Sequence, residues 1–325
     1  MSPRLRSLLI NLARIGISGV LLAWILSQTG LERLGTVLQS ADPWPYAGAV
    51  LLGLIGIGLR AWRWKVLLDA VGVRLPLPRL IYLYFVGAFF NAFLPTGFGG
   101  DVVRVLEFGQ GAHSSQAAGT ALVDRLTGFI MLFALALAAL PFAGALLPPS
   151  LTGLIAALGA GVLLGSALLF EGRLLPRLTA GLGRWPLTRP LSLAGDGWLA
   201  RTYGVIAACG RGALLRALGV SLIFNLVILT AGWLIAATLR LTIAPATLAA
   251  FIPVATATLL VPISISGLGV REGVYVALFA QVGIADAQAV AFSLLFYSID
   301  LATGLVGGLL YLGSSLARLR RPDPA

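Results

Sequence analysis

Cysteine and histidine are nearly missing from this sequence of 325 residues, which has one of each, Cys209 and His113. A lone cysteine excludes a disulfide framework within the chain, and a lone histidine leaves no spacing for a zinc or haem site. No metal and no cofactor are therefore expected, with His113 read as a solvated turn residue and Cys209 as an inert apolar filler. Charge is scarce as well, at 11% of residues. Neither a Walker A sequence nor a DxD-type cluster is present, and no extramembrane loop is long enough to house a nucleotide donor, so no catalytic residue is assigned.

What the sequence has in abundance is apolar side chains, 58% of all residues, with a mean hydropathy of +0.96. Such values lie outside the range of soluble domains. Apolar runs long enough to span a hydrocarbon layer of about 30 Å recur along the chain, which predicts one integral membrane domain over residues 1–325. The net charge of +11 then records which loops face the cytoplasm rather than a nucleic-acid partner.

Of the 23 basic residues 18 fall into four groups: Arg4 to Arg14, Arg60 to Arg79, Arg173 to Arg216, and Arg318 to Arg321. The positive-inside rule places all four in the cytoplasm, and both termini with them. Between these groups the expected spans are a retained first helix ending near Leu26, then about Pro43 to Leu59 with Asp42 as N-cap, 121–146, 151–170, 214–238 and 287–312. Parity leaves 80–117 entering and leaving from the cytoplasm and 247–285 from the outside. Each is expected to be a re-entrant hairpin, a pair of full spans being the alternative. The segment 172–212, with Arg184, Trp185, Trp198 and Arg201, reads as a cytoplasmic interfacial elbow on anionic lipid. The expected fold is thus all-α and polytopic, with about six full spans and two oppositely oriented hairpins, or eight or more helices.

Charges concentrate inside those two hairpins. "NAFLPTGFGGDVVRVLE" holds Asn91, Pro95, Gly97, Gly99, Gly100, Asp101, Arg104 and Glu107; "VPISISGLGVREG" holds Pro262, Ser264, Ser266, Gly267, Gly269, Arg271 and Glu272. The two align without a gap at an offset of 167 residues, Leu94, Pro95, Gly100, Val103 and Arg104 falling on Val261, Pro262, Gly267, Val270 and Arg271. A repeat in opposite orientations, built on broken helices, points to transport by alternating access. Proline followed by glycines ends one helix and opens the next near Asp101, presenting backbone N–H groups that suit an anion. Asp101, Arg104 and Glu107 share a helical face, so Arg104 can pair with either carboxylate. Asp124 and Arg125 open the following span and point about 100° apart, each toward its own partner. Arg271 with Glu272 repeats that pattern, and Asp300 lies in the last apolar run. Each charge costs about 2.5 to 3.5 kcal/mol to insert, so they must face one another or a wet cavity. A purely structural use, fixing helix register, is the competing reading.

Three ordered stretches, "NAFLPTGFGGDVVRV", "ALVDRLTGF" and "VPISISGLGVREG", resemble the motifs of the lysylphosphatidylglycerol synthase transmembrane region, or flippase-like, family over nearly the whole chain. In its larger members this region precedes a soluble aminoacyl-transferase domain and moves the modified lipid between leaflets. Here the sequence stops at "RLRRPDPA", so the expectation is a stand-alone member without the synthase half. The resemblance covers the membrane region and its motifs and leaves the cargo unassigned; the favoured reading of the residues is a lipid translocase of the cytoplasmic membrane, with Arg104 and Arg271 engaging a phosphate or other anionic headgroup and the carboxylates neutralising those arginines when it is absent. An intramembrane transferase using Asp101 or Asp124 as base, and an envelope scaffold, are the alternatives.

Overall fold

The computed structural model describes residues 3–93, 99–106, 112–143, 147–171, 198–258, 264 and 267–319. Side chains are described from Arg14 onward, except at 93, 99, 101, 112–115, 171, 198–202 and 316–319. Pro95, Gly97, Glu107, Pro262, Ser266, the side chain of Asp101 and the 172–197 part of the expected elbow lie outside the described residues.

Every described element is helical: α1 (Pro3–Thr29), α2 (Leu31–Gln39), α3 (Pro43–Ala70), α4 (Leu77–Phe93), α5 (Gly99–Leu106), α6 (Ala112–Ala143), α7 (Pro149–Glu171), α8 (Trp198–Thr238), α9 (Pro245–Thr258), α10 (Val270–Ala280) and α11 (Asp286–Leu319). The protein is a polytopic membrane helix bundle. Among the described residues five helices are long and apolar enough to cross a bilayer, namely α3, α7 and most of α6, α8 and α11. A sixth crossing is available if α1 and α2, bent by 79° at Gly30, form one broken span. Gly30 carries a φ of 81°, a left-handed conformation that most residues adopt only under strain.

The start of α3 is as the sequence predicts: the Asp42 carboxylate accepts a hydrogen bond from the Trp44 N–H at 3.0 Å, with Pro43 at the first helical position. Its end is not. The helix runs on past Leu59, where the span was expected to end, to Ala70, and Arg63 in that extension is buried against protein. Its charge is matched inside the bundle, so nothing forces the helix to stop. The span expected from 214 likewise begins earlier, in a helix that starts at Trp198 and kinks at Gly210 (φ 70°, ψ 160°).

Residues 80–117 and 247–285 each contain a short helix followed by another: α4 then α5, and α9 then α10. The most extensive helix contact is α3 against α8, and around it α4 packs on α11 while α9 packs on α6. Glycines bring the α4 and α11 backbones together: a Cβ at Gly304 would stand 3.3 Å from the Ala88 carbonyl oxygen, and one at Gly307 would overlap the Phe85 carbonyl. This is the small-residue seam by which membrane helices approach closely. Elsewhere the interior is conventional, with Phe251, Tyr275, Phe279 and Phe292 in edge-to-face and tilted contacts. Cys209 is buried with Leu67, Val123 and Ile206, as an apolar filler should be. Large apolar side chains such as Val20, Trp24, Leu51 and Leu309 cover the outside, as a lipid-facing surface requires.

Candidate functional site

On α3, Arg60, Arg63 and Trp64 stand at helical spacings that put them on one face. That face meets Tyr84 of α4, Arg104 of α5, Asp124 of α6 and Ser221 of α8. Arg63 donates from Nε to Asp124 Oδ1 at 2.6 Å and from Nη1 to Ser221 Oγ at 3.0 Å. The Tyr84 hydroxyl donates to the other carboxylate oxygen. Trp64 Nε1 donates to Thr120 Oγ1 at 3.1 Å, and the Trp64 and Tyr84 rings meet edge to face. Arg104 is 1% exposed, its guanidinium 4.2 Å from the Trp64 ring centre and 4.1 Å from that of Tyr84. Its Nη1 is 4.0 Å from Asp124, close enough for charge attraction and too far for a hydrogen bond. One described carboxylate thus anchors two guanidinium groups and a phenol. Gly128 makes the space: a Cβ there would lie 2.9 Å from Arg63 Nη1.

The expected divergence of Asp124 and Arg125 holds. Asp124 turns to α3 and α4, while Arg125 lines a cavity of about 300 Å³ beside Val102, Val105 and Leu106 of α5. Asn91 accepts a hydrogen bond from the Gly100 N–H at 2.8 Å. One donor at the start of α5 is therefore already satisfied by the protein. Gly100 itself lies against Gly87, whose carbonyl oxygen a Cβ would overlap.

The second motif builds a different arrangement. At the start of α10 the Gly269 N–H donates to Glu272 Oε2 at 2.6 Å. Arg271 Nη2 donates to Glu272 Oε1 at 3.0 Å, and its Nε donates to Ser293 Oγ at 3.0 Å. Ser293 in turn donates to Glu272 Oε1 at 2.9 Å, closing a ring of three side chains. Arg271 also lies 4.6 Å from the centre of the Tyr297 ring. Arg271 and Glu272, expected by analogy with Asp124 and Arg125 to diverge, are instead bonded to each other, because Ser293 on α11 fixes both. Gly267 and Gly269 have φ of 77° and 84°, and a Cβ at Gly269 would fall 2.5 Å from Leu21 of α1. The close approach at Gly269 is therefore to protein. Ser264 is buried.

Among the described residues Asp300 is hydrogen-bonded to neither network, although Arg271 and Arg60 are both charged neighbours of it. It lines a cavity of about 200 Å³ bounded by α3, α6, α8, α9 and α11, together with Arg60, Phe224, Asn225, Thr256, Phe296 and Thr303.

Sequence reasoning located Arg104, Asp124, Arg271, Glu272 and Asp300, but assigned Arg60 and Arg63 to a cytoplasmic basic group and passed over Trp64, Tyr84, Ser221 and Asn225. The usable signal was the stretch "RAWRWK", in which two arginines and a tryptophan recur on one face directly after an apolar run.

The family model described as the lysylphosphatidylglycerol synthase TM region matches residues 11–308. No curated protein matches the chain.

Proposed function

Because the chain belongs to the lysylphosphatidylglycerol synthase TM region family, whose name ties it to lipid handling, we propose that it moves a phospholipid or other anionic lipid-linked substrate between the leaflets of the cytoplasmic membrane. The observation that carries this reading is the gathering of Arg63 and Arg104 around Asp124 in the interior of an apolar bundle. Apolar residues of similar volume would hold helices together at least as well as a buried ion pair. Guanidinium groups, by contrast, match the geometry of a phosphate. A headgroup arriving at Arg104 substitutes for the distant attraction of Asp124, which neutralises the arginines when no cargo is bound.

Alternating access has support in the order of the helices. Shifting α3, α4, α5 and α6 by 167 residues brings them onto the region of α8, α9, α10 and α11 in sequence. Exchanging the two sets turns the α4 contact with α11 into the α9 contact with α6, and leaves α3 against α8. Two halves related in this way can rock about their shared α3 and α8 seam. An apolar groove of about 640 Å³, lined by Leu135, Phe142, Leu229 and Trp233 among others, offers a path for an acyl chain along α6, α8 and α9.

The decisive experiment uses proteoliposomes with a fluorescent phospholipid and a membrane-impermeant quencher that reads each leaflet. Arg104→Gln keeps hydrogen-bonding capacity and removes charge, so it is expected to leave a folded protein that moves lipid at least tenfold more slowly. Normal lipid movement by the folded variant would return the arginines to a purely structural role. Orientation is tested separately in a Cys209→Ala background. Cysteines at Ser150 and Thr242 are expected to react with an impermeant maleimide from outside, and one at Arg74 only from inside.

A further inference from the structure

We infer that the cavity between α3, α6, α8, α9 and α11 is a second headgroup station beside the Arg104 cluster, and that it takes a zwitterionic headgroup, its phosphate on Arg60 and its primary ammonium on Asp300. The inference rests on the lipid-translocase reading only in taking a membrane lipid as the ligand.

Asp300 stands halfway along α11, where a carboxylate at bilayer depth needs a wet cavity or a partner. It is exposed in the folded chain because it opens on the cavity, and Arg60, across the same cavity, is half-buried. Among the described residues neither group makes an ion pair within 4.0 Å, nor any side-chain hydrogen bond. Opposite charges held apart across one small chamber are complementary to a ligand with the reverse pair of charges.

Neutral groups sort the same way. The Thr256 hydroxyl gives its proton to the Ile252 carbonyl at 2.7 Å, and the Thr303 hydroxyl gives its proton to the Asp300 carbonyl at 2.9 Å. Both oxygens are left as acceptors. With the Asp300 carboxylate they supply three acceptor groups for the three N–H donors of a primary ammonium. At the other end, Arg60 lies 5.2 Å from the Tyr84 ring centre and 5.9 Å from that of Phe224. It offers only donors, as a phosphate needs, and Tyr84 links it to the Asp124 cluster. An anionic lipid without an amine would set its charge against Asp300, and a choline headgroup has no N–H for the acceptors.

The test is binding, read independently of transport. The full-length protein in detergent is heated with monomeric dihexanoyl phosphatidylethanolamine, phosphatidylglycerol or phosphatidylcholine, because a ligand of the native state raises the unfolding midpoint. The ethanolamine lipid is expected to raise Tm by several degrees, more than either of the others. Asp300→Asn should erase that advantage, Asp300→Glu should keep it, and Arg60→Gln should abolish the response to all three lipids. Among the described residues Asp300 and Arg60 make no ion pair within 4.0 Å or side-chain hydrogen bond that their replacement would break, so these variants are expected to fold. Equal shifts with all three lipids, a larger shift with phosphatidylglycerol, or an ethanolamine preference that survives in Asp300→Asn would overturn the assignment. Selective binding without lipid movement in proteoliposomes would uphold the chamber and sink the translocase reading.

Discussion

Asp124 and Glu272 each serve as the acidic centre of a buried network, yet they join different things. Around Asp124 the partners come from α3, α4, α5 and, through Arg63, α8, positions as distant in sequence as Arg63 and Ser221. Around Glu272 the partners are its own helix start and α11, with Gly269, Arg271 and Ser293 all nearby in the chain. The first is a cross-brace and the second a clasp. Geometry follows the same division: the clasp is closed by hydrogen bonds of 2.6 to 3.0 Å, whereas Arg104 stands 4.0 Å from its carboxylate. A closely hydrogen-bonded network of this kind rigidifies its helices.

The sharpest way to break this comparison is to remove the brace. Asp124→Leu leaves the buried Arg63 charge without its closest partner and is expected to cost about 3 to 5 kcal/mol, measured by denaturant unfolding in micelles. Adding Arg63→Met should recover part of that loss, since the stranded charge goes with it. Strict additivity of the two changes would mean that Arg63 and Asp124 are not coupled. Next in size is Glu272→Gln, expected to cost about 1 to 3 kcal/mol. The amide oxygen can still accept from Gly269 or Ser293, so the clasp loosens without opening. A cost equal to that of Asp124→Leu would erase the distinction between the two centres. The smallest effects belong to the hydroxyls, Tyr84→Phe and Ser293→Ala, at about 1 kcal/mol each. Native-state hydrogen exchange should separate them: Tyr84→Phe is expected to speed exchange across several helices, and Ser293→Ala only near the start of α10.

Much of this was legible in the residues. Hydropathy announced the bundle, Asp42 with Pro43 marked the start of α3, and the cost of burying charge drew attention to Arg104, Asp124, Arg271 and Asp300. The end of α3 was not legible, because a rule that reads arginine as a cytoplasmic flag cannot see a carboxylate 61 positions away. Arg63 is held by the interior of the fold. Tyr84 and Trp64 were hidden for a related reason. Aromatic residues near span ends read as interfacial anchors, and only the packing of α4 and α5 against α3 turns them into the walls around Arg104.

The glycine seam between α4 and α11 has a mechanical meaning. With Gly304 and Gly307 laid against the backbone of Ala88 and Phe85, and Gly308 against the Phe89 ring, little side-chain material lies between the two backbones to absorb a relative displacement. Asp300 rides on α11 one turn before the seam, and Tyr84 rides on α4 directly before Phe85. A shift of α11 at Asp300 would therefore be felt at Tyr84 on α4, the phenol that holds Asp124, and the proposed chamber and the brace share one mechanical frame.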